Sequence, residues 1–151
     1  MTNREEGPVG RVVAVSISTE KGVPKENVPQ VRVVPGWGVE GDAHGGDWHR
    51  QVSLLALESI EKMRAKGLSV QPGDFAENLT TEGIDLPQLP LGSRLQVGNE
   101  VLLEVTQIGK ACHTGCAIFQ QVGQCIMPKE GIFTRVIRGG TVRPDDPILV
   151  L

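Results

Sequence analysis

Aromatic residues are scarce in this 151-residue chain, which has no Tyr, three Phe and two Trp. Because hydrophobic residues still make up 39% of the sequence, the core must be built mainly from aliphatic side chains. A chain of this length has room for one domain with a sizeable buried core. Folding therefore does not require a disulfide or a metal on grounds of size.

Long apolar runs and an excess of basic residues are also absent. No segment approaches the roughly 18 apolar residues that a membrane span needs, and the N-terminal sequence MTNREEGPVG lacks the apolar region of a secretory signal. The formal net charge of −3 argues against non-specific binding to nucleic acid, which depends on clustered Lys and Arg. We therefore expect a cytoplasmic protein whose partners include neither nucleic acid nor a membrane.

Cysteine is rare and confined to one window that holds Cys112, Cys116 and Cys125. An odd number of cysteines in a reducing compartment disfavours structural disulfides. With His113 they could supply four zinc ligands, although the spacing differs from that of paired zinc knuckles. Burial as a small hydrophobe suits Cys125, whereas Cys112 follows a strand end, where a reactive thiol or soft-metal ligand is favoured. Lys110 and His113 flank Cys112, and a nearby cation lowers the pKa of a thiol.

Short strands separated by Gly and Pro dominate the secondary-structure pattern. Alternating residues predict a strand near positions 10–18, and a β-like run, QVRVVP, follows the predicted surface loop EKGVPKENVPQ. RLQV and EVLLEVTQI flank Gly98 and Asn99, which predict a two-residue turn between two strands. TVRPDDPILVL predicts a final strand or pair of strands.

Helices are predicted at two places. Ser53 is placed to cap a helix whose apolar residues recur at helical spacing, and Gly67 is placed to end it. GIFTRVIRGG predicts a second, short helix ended by its two glycines. Together these elements predict a mainly β fold, a compact β-barrel with a few attached helices. Residues 1–9 are expected to be a flexible N-terminus and residues 10–151 a single domain.

Three further stretches hold polar side chains in loops or at turns. The first, GVEGDAHGGDWHRQ, has the pattern D-x-H-x-x-D-x-H, which is compatible with a metal site. Its glycines and Arg50 are equally compatible with an anion pocket, and a solvated loop is a third possibility. In PGDFAENLTTEG the polar residues either brace a turn or bind a ligand. Arg135 and Arg138, three apart on the predicted second helix, either grip an anion or face water.

Five stretches, taken in order, resemble the successive motifs of the MOSC domain, the module found at the C-terminus of molybdenum-cofactor sulfurases. They are GDAHGGDWHRQVSLLALE, GDFAENLT, LGSRLQVGNEVLLEV, GKAC and EGIFTRVIRGG. The resemblance runs from about residue 10 to the C-terminus. It implies a strand-rich β-barrel and a role with the molybdenum cofactor (molybdopterin), either binding it or carrying sulfur to it.

The resemblance also implies roles for individual residues. Cys112 stands where the family has the cysteine that carries a persulfide or ligates molybdenum. The implied cofactor-binding residues are Asp42, His44, Arg50, Gln51, Glu77, Asn78 and Arg135, and we add Lys110 because it lies beside Cys112. Cys116 and Cys125 exceed the family minimum.

Partners follow from what this stretch of chain does not contain. Larger relatives precede the module with a pyridoxal-phosphate cysteine desulfurase domain or an additional β-barrel domain, and neither lies within these 151 residues. We expect a stand-alone module that takes sulfur from a donor such as a cysteine desulfurase and serves a molybdoenzyme acceptor. Two alternatives stay open. One is a molybdenum-dependent reductase of N-hydroxylated compounds with an external electron donor. The other is a zinc-stabilised binding protein that uses Cys112, Cys116, Cys125 and His113.

Overall fold

A computed structural model describes residues 9–21, 23–109 and 130–151. Strands dominate this part of the chain, as the sequence predicts. The elements in chain order are β1 (Val9–Ile17), β2 (Glu26–Val28), β3 (Val31–Val34), β4 (Gly38–Val39), β5 (Val52–Ala56), α1 (Leu57–Ala65), β6 (Leu79–Glu82), a 3-10 turn (Leu86–Gln88), β7 (Arg94–Val97), β8 (Val101–Ile108), β9 (Ile132–Arg138), β10 (Gly140–Val142) and β11 (Pro147–Val150).

The predicted β-barrel is confirmed. In the described part of the chain, seven strands close into a ring in the order β1, β11, β7, β8, β9, β5 and β6, and β6 pairs back to β1. Strands β5 and β6 are parallel, with α1 in the connection between them, and the other described pairs in the ring are antiparallel. Strand β2 extends the sheet beyond β1, and β10, β3 and β4 form a separate small sheet.

Aliphatic side chains fill the barrel, which agrees with the scarcity of aromatic residues. Examples from four different strands, each with no exposed surface, are Leu54, Leu79, Leu103 and Ile132. A second cluster packs between α1 and the outer face of the barrel and contains Leu55, Ile60, Met63, Val70, Phe75, Ala76 and Phe133. All five residues of β5 are buried because this strand faces the barrel core on one side and the α1 cluster on the other.

Helix α1 ends where the sequence predicts but begins differently. The amides of Gly67 and Leu68 donate to the carbonyl oxygens of Arg64 and Met63, and Gly67 has a φ of 93°. This is a Schellman ending, which favours glycine. The prediction that Ser53 caps the helix is wrong, because Ser53 lies inside β5 and the capping position is Ala56, which makes no side-chain cap.

Three other local predictions need correction. GIFTRVIRGG was predicted to be helical, but it forms strand β9, whose Ile132 and Val136 point into the barrel core. Part of the predicted loop EKGVPKENVPQ is strand β2. The turn between β7 and β8 has three residues rather than two, since Val97 pairs with Val101. The predicted strands β1, β3, β7 and β8 and the final pair β10 and β11 are confirmed.

Strands β8 and β9 meet at the ends of the segment 110–129. Ile108 pairs with Ile132, and the amide of Gly109 donates to the carbonyl of Gly131 over 2.7 Å. Gly109 and Gly131, which lie on either side of that segment in the chain, are therefore neighbours at one end of the strand pair. None of the helices in the described residues is long and apolar enough to cross a membrane.

Candidate cofactor site

Asp42 is the hub of a buried polar cluster. Its Oδ1 atom accepts hydrogen bonds from the Lys25 ammonium at 2.8 Å and from the Ser18 amide at 3.0 Å, and its Oδ2 accepts from the His44 amide at 3.1 Å. The side chains of Asp42 and Lys25 are fully buried. The glycine-rich loop after β4 thus docks onto the end of β1 through this carboxylate and through the Ala43 amide, which donates to the Ser18 carbonyl at 2.8 Å.

The partners of Asp42 fix its charge. Burial by itself would raise the pKa of this carboxyl group. The Lys25 ammonium and the amides of Ser18 and His44, which all donate to this carboxylate, outweigh burial and hold the pKa of Asp42 well below its usual range. Asp42 is therefore ionised throughout the physiological pH range.

His44 connects the buried cluster to the surface. Its Nδ1 atom lies 3.2 Å from the Lys25 Nζ, and its ring stacks nearly parallel to the Trp48 indole with 6.4 Å between centroids. The Trp48 indole nitrogen donates to the His44 carbonyl oxygen at 2.8 Å. Trp48 is 36% exposed, so part of its indole faces solvent.

Two cations flank the same indole. The Lys21 ammonium lies 5.2 Å from the ring centroid of Trp48, and the Arg50 guanidinium carbon lies 5.8 Å from it. The Arg50 guanidinium also lies over the Phe133 ring at 5.2 Å. These distances are within the range of cation–π attraction. The result is a partly exposed aromatic surface with positive charge on it.

Gln107 joins this surface to the end of β8. Its Oε1 atom accepts from Arg50 Nε at 3.0 Å and lies 2.7 Å from His49 Nε2, while its Nε2 donates to the Gly109 carbonyl at 2.7 Å. The two terminal nitrogens of Arg50 have no hydrogen-bond partner in the described part of the chain. Arg50 therefore retains donors for an anion close to the start of segment 110–129.

Glu77 is buried beneath the turn that precedes β6. Its Oε2 accepts from the Gly73 amide at 2.8 Å and from the Thr80 hydroxyl at 2.7 Å. Its Oε1 is buried without a hydrogen-bond partner among the described residues. Burial raises the pKa of Glu77 to about 7, against the opposing effect of these hydrogen bonds.

Asn78 and Gln51 use their side chains to brace the backbone. Asn78 Oδ1 accepts from the Ser53 amide at 3.0 Å, and its Nδ2 donates to the Ser16 carbonyl at 3.2 Å. Gln51 Oε1 accepts from the Val136 amide at 2.9 Å. These contacts tie β5 to β1 and to β9, so each side chain holds in place the strands from which the site loops emerge.

Arg135 lies on the outer face of the barrel. Its Nε atom donates to Glu104 Oε1 at 2.7 Å, and Glu104 lies 3.5 Å from Arg94 Nε on the next strand. The hydrogen bond from Arg135 lowers the pKa of Glu104. Arg135 and Arg138 in β9 are held by different partners, because Arg138 Nε donates to the Glu100 carbonyl at 3.0 Å, so the two guanidinium groups do not form the paired anion site that was considered for a helix.

The pattern D-x-H-x-x-D-x-H does not gather into a metal site. In residues 9–21, 23–109 and 130–151, no three His, Cys, Asp or Glu side chains are placed to hold a metal ion. Asp42 is paired with Lys25, and His49 contacts Gln107. The predicted thiol and zinc residues, with Lys110, lie outside the described residues: Cys112, His113, Cys116 and Cys125.

Sequence reasoning missed Lys25, Trp48 and Gln107. Trp48 lies inside a motif that was singled out, and an indole among charged residues in an aromatic-poor chain was an available signal. Gln107 ends a predicted strand beside GKAC, which was a weaker signal. Lys25 gave none, because its partners lie 17 and 19 residues away in the chain.

Solved structures share this fold. The YuaD protein from Bacillus subtilis superimposes with a TM-score of 0.80 at 21% identity, covering 94% of this chain and 95% of that one. YiiM from Geobacillus stearothermophilus gives 0.70 at 21% identity, covering 94% of this chain and 75% of that one. YiiM from Escherichia coli gives 0.65 at 21% identity, with 93% and 69% covered. No curated protein matches the sequence.

The family assignment comes from the sequence match. The family model of the MOSC domain matches residues 40–149, a range that includes the glycine-rich loop, the turn before β6 and most of the barrel strands. This match covers well over half of the chain and agrees with the five motifs noted above. The chain belongs to the MOSC domain family.

Proposed function

We propose that this MOSC domain binds the molybdenum cofactor or carries sulfur destined for it, and that Cys112 is the thiol that holds the sulfur or the metal. The observation that carries the proposal is the connection from Trp48 through Arg50 and Gln107 to Gly109. It brings an aromatic surface and a cation to the point where the segment containing Cys112 begins.

The described residues fit such a cofactor. A pterin is a flat ring system that suits the exposed part of Trp48, and its phosphate suits the free terminal nitrogens of Arg50 and the nearby Lys21. His44 would line the same surface. When bound, the cofactor supplies a soft metal centre, for which a thiolate is an appropriate ligand. The remaining predicted residues, Asp42, Gln51, Glu77 and Asn78, support this surface through buried hydrogen bonds.

The test is analysis of protein purified from a host that makes the cofactor. We expect molybdenum by elemental analysis and a fluorescent pterin after oxidation, or a mass increase of one sulfur atom after exposure to a cysteine desulfurase and cysteine. Cys112→Ser should abolish the metal or the sulfur adduct, while Cys116→Ser serves as the matched control. Wild-type protein without pterin, molybdenum or bound sulfur would refute the proposal.

Arg50 provides a second test on a described residue. Arg50→Ala removes the donors that face the proposed phosphate and should lower the retained pterin by about tenfold or more, since a hydrogen bond to a charged group contributes on the order of 1.5–3 kcal/mol. Arg138→Ala removes an exposed arginine whose Nε binds the Glu100 carbonyl, and it should leave the pterin content unchanged. Equal pterin content in both variants would contradict the assignment of Arg50.

The same preparations distinguish the two alternatives. Stoichiometric zinc, with unfolding on chelation, would favour the zinc-stabilised binding protein. Turnover of an N-hydroxylated substrate by the molybdenum-containing protein with an external reductant would favour the reductase. A carrier would contain bound cofactor or sulfur, would not depend on zinc for folding, and would not turn over an N-hydroxylated substrate.

A further inference from the structure

The proposed function leaves Lys25 without a role, although its ammonium group is fully buried. Burying an amine in a protein is costly unless it is paired and hydrogen-bonded. Among the described residues, the Lys25 ammonium has two partners, Asp42 Oδ1 at 2.8 Å and His44 Nδ1 at 3.2 Å. An ion pair with Asp42 alone would satisfy the charge, so the second contact, with His44, needs its own explanation.

The contact with His44 determines where the imidazole carries its hydrogen. A lysine ammonium is a donor with no acceptor capacity, so the His44 Nδ1 atom must accept from it. An imidazole that accepts at Nδ1 carries its hydrogen on Nε2. The Asp42 Oδ2 atom would favour the opposite tautomer, but it lies farther from Nδ1, at 3.7 Å, and already accepts from the His44 amide.

We propose that Lys25 is a positioning residue that fixes His44 as the Nε2–H tautomer, so that His44 presents a hydrogen-bond donor at the candidate cofactor site. The ligand group is an acceptor oxygen of an anionic ligand, such as a phosphate. The His44 side chain is 14% exposed and stacks on Trp48, which Lys21 and Arg50 also flank. The identity of the ligand rests on the proposed function, whereas the tautomer does not.

The tautomer can be read directly from the wild-type protein. The chain has three histidines, and selective 15N labelling with long-range proton–nitrogen correlation distinguishes protonated from unprotonated ring nitrogens. His44→Gln identifies the His44 signals by their loss. We expect an unprotonated, pyridine-type Nδ1 and a protonated, pyrrole-type Nε2. A protonated Nδ1 in the wild-type protein would overturn the inference.

Lys25→Met tests whether Lys25 sets this state. Without the ammonium, Asp42 Oδ2 becomes the nearest charged group to His44 Nδ1, and the Nδ1–H form should become populated. An unchanged, purely Nε2–H spectrum in a folded Lys25→Met protein would overturn the role of Lys25. If that variant does not fold, the wild-type spectrum still decides whether Nδ1 accepts, as the proposal requires.

The donor role is tested with two replacements that mimic different ring nitrogens. Glutamine places its amide near the position of Nε2, and asparagine places its amide near that of Nδ1. With co-purifying pterin as the probe, we expect His44→Gln to retain pterin within about twofold and His44→Asn to lose about tenfold, the effect of one hydrogen bond of roughly 1.4 kcal/mol. Equal retention by the two variants would overturn the donor role. Absence of pterin from the wild-type protein would refute the proposed function instead, and the nitrogen spectrum would then decide this inference alone.

Discussion

Lys25 and Asp42 form a buried ion pair whose two members should be energetically coupled. Lys25→Met leaves the Asp42 carboxylate buried without its counter-charge, and such a change costs about 3–5 kcal/mol of unfolding free energy. Asp42→Asn has the converse effect on the Lys25 ammonium. The double variant removes both charges and should be more stable than the sum of the single effects predicts, by roughly 1–3 kcal/mol.

Urea unfolding of the four proteins measures this coupling. Arg11 offers a matched control, because it forms ion pairs of similar length with Glu82 and Asp145 on the exposed surface. The Arg11→Met and Glu82→Gln cycle should give less than about 1 kcal/mol. Additive effects at Lys25 and Asp42 would mean that the pair does not act as a unit.

The sequence predicted individual site residues only where they lie in a stretch that resembles a motif of the MOSC family. The resemblance selected Asp42, His44 and Arg50, and the structure places them along one connected set of contacts. Arg135 was selected in the same way but is ion-paired with Glu104 on the outer face. No pattern in the sequence pointed to Lys25, because burial of an amine depends on partners that only the folded chain brings near.

At the scale of elements, strand β4 depends on a glycine that packs against a neighbouring backbone. A Cβ at Gly38 would lie 2.5 Å from the Gln51 carbonyl oxygen, and Gly38 has a φ of 128°. Nearby Gly36 also has a positive φ, 67°, but a Cβ there meets nothing within 4 Å. We expect Gly36→Ala to cost about 1–2 kcal/mol for its backbone conformation, and Gly38→Ala at least about 2 kcal/mol more because of the added clash.

Thermal or urea unfolding of the two variants checks this difference. Gly38→Ala should also reduce pterin retention, since it displaces Gln51 beside Arg50, whereas Gly36→Ala should not. Equal destabilisation would show that the backbone at Gln51 can move to accommodate a methyl group.

The sequence predicted a helix or strand correctly where the local residue pattern favours the same structure as the packing in the folded protein. Strand β1 alternates in sequence and is found as predicted. GIFTRVIRGG was mistaken for a helix because its glycines resemble a helix stop, yet Gly139 instead lies close to the Val33 carbonyl oxygen of the small sheet. Ser53 resembles a helix cap, but it forms hydrogen bonds with Asn78, which directly precedes β6. The two residues are 25 positions apart, so no local sequence pattern reveals this contact.

At the scale of the whole molecule, two buried carboxyl groups should shape stability in opposite directions. Glu77 has a folded-state pKa of about 7 against an ordinary value of 4.5, so the folded state binds its proton more tightly and the unfolding free energy falls as pH rises through that window. Asp42 has a lowered pKa, so its contribution is present above its ordinary value of 3.8 and is lost as pH falls below it. From these two groups alone, the unfolding free energy should be greatest between the pH range in which Asp42 loses its contribution and the pH range in which Glu77 ionises.

Urea unfolding across roughly pH 3 to 9 tests both limbs of this profile. Glu77→Gln should remove the decline between about pH 4.5 and 7, which amounts to on the order of 3 kcal/mol. The amide nitrogen can occupy the position of Oε1 while its oxygen still accepts from Gly73 and Thr80. Asp42→Asn should instead reduce the loss of unfolding free energy at acidic pH. A Glu77→Gln profile that keeps the neutral-pH decline would assign that decline to other groups.

The hydrogen bond between Gly109 and Gly131 has a consequence for engineering. Because Gly109 and Gly131 hold the ends of β8 and β9 together, any connecting segment placed between them would start and finish at the same two points. We expect a folded barrel when 110–129 is replaced by a short Gly-Asn connector, since a few residues suffice to join two strand ends that are already hydrogen-bonded to each other. The corresponding segments of other MOSC domains could then be inserted between the same two residues. Their thiol chemistry could be compared on one common barrel.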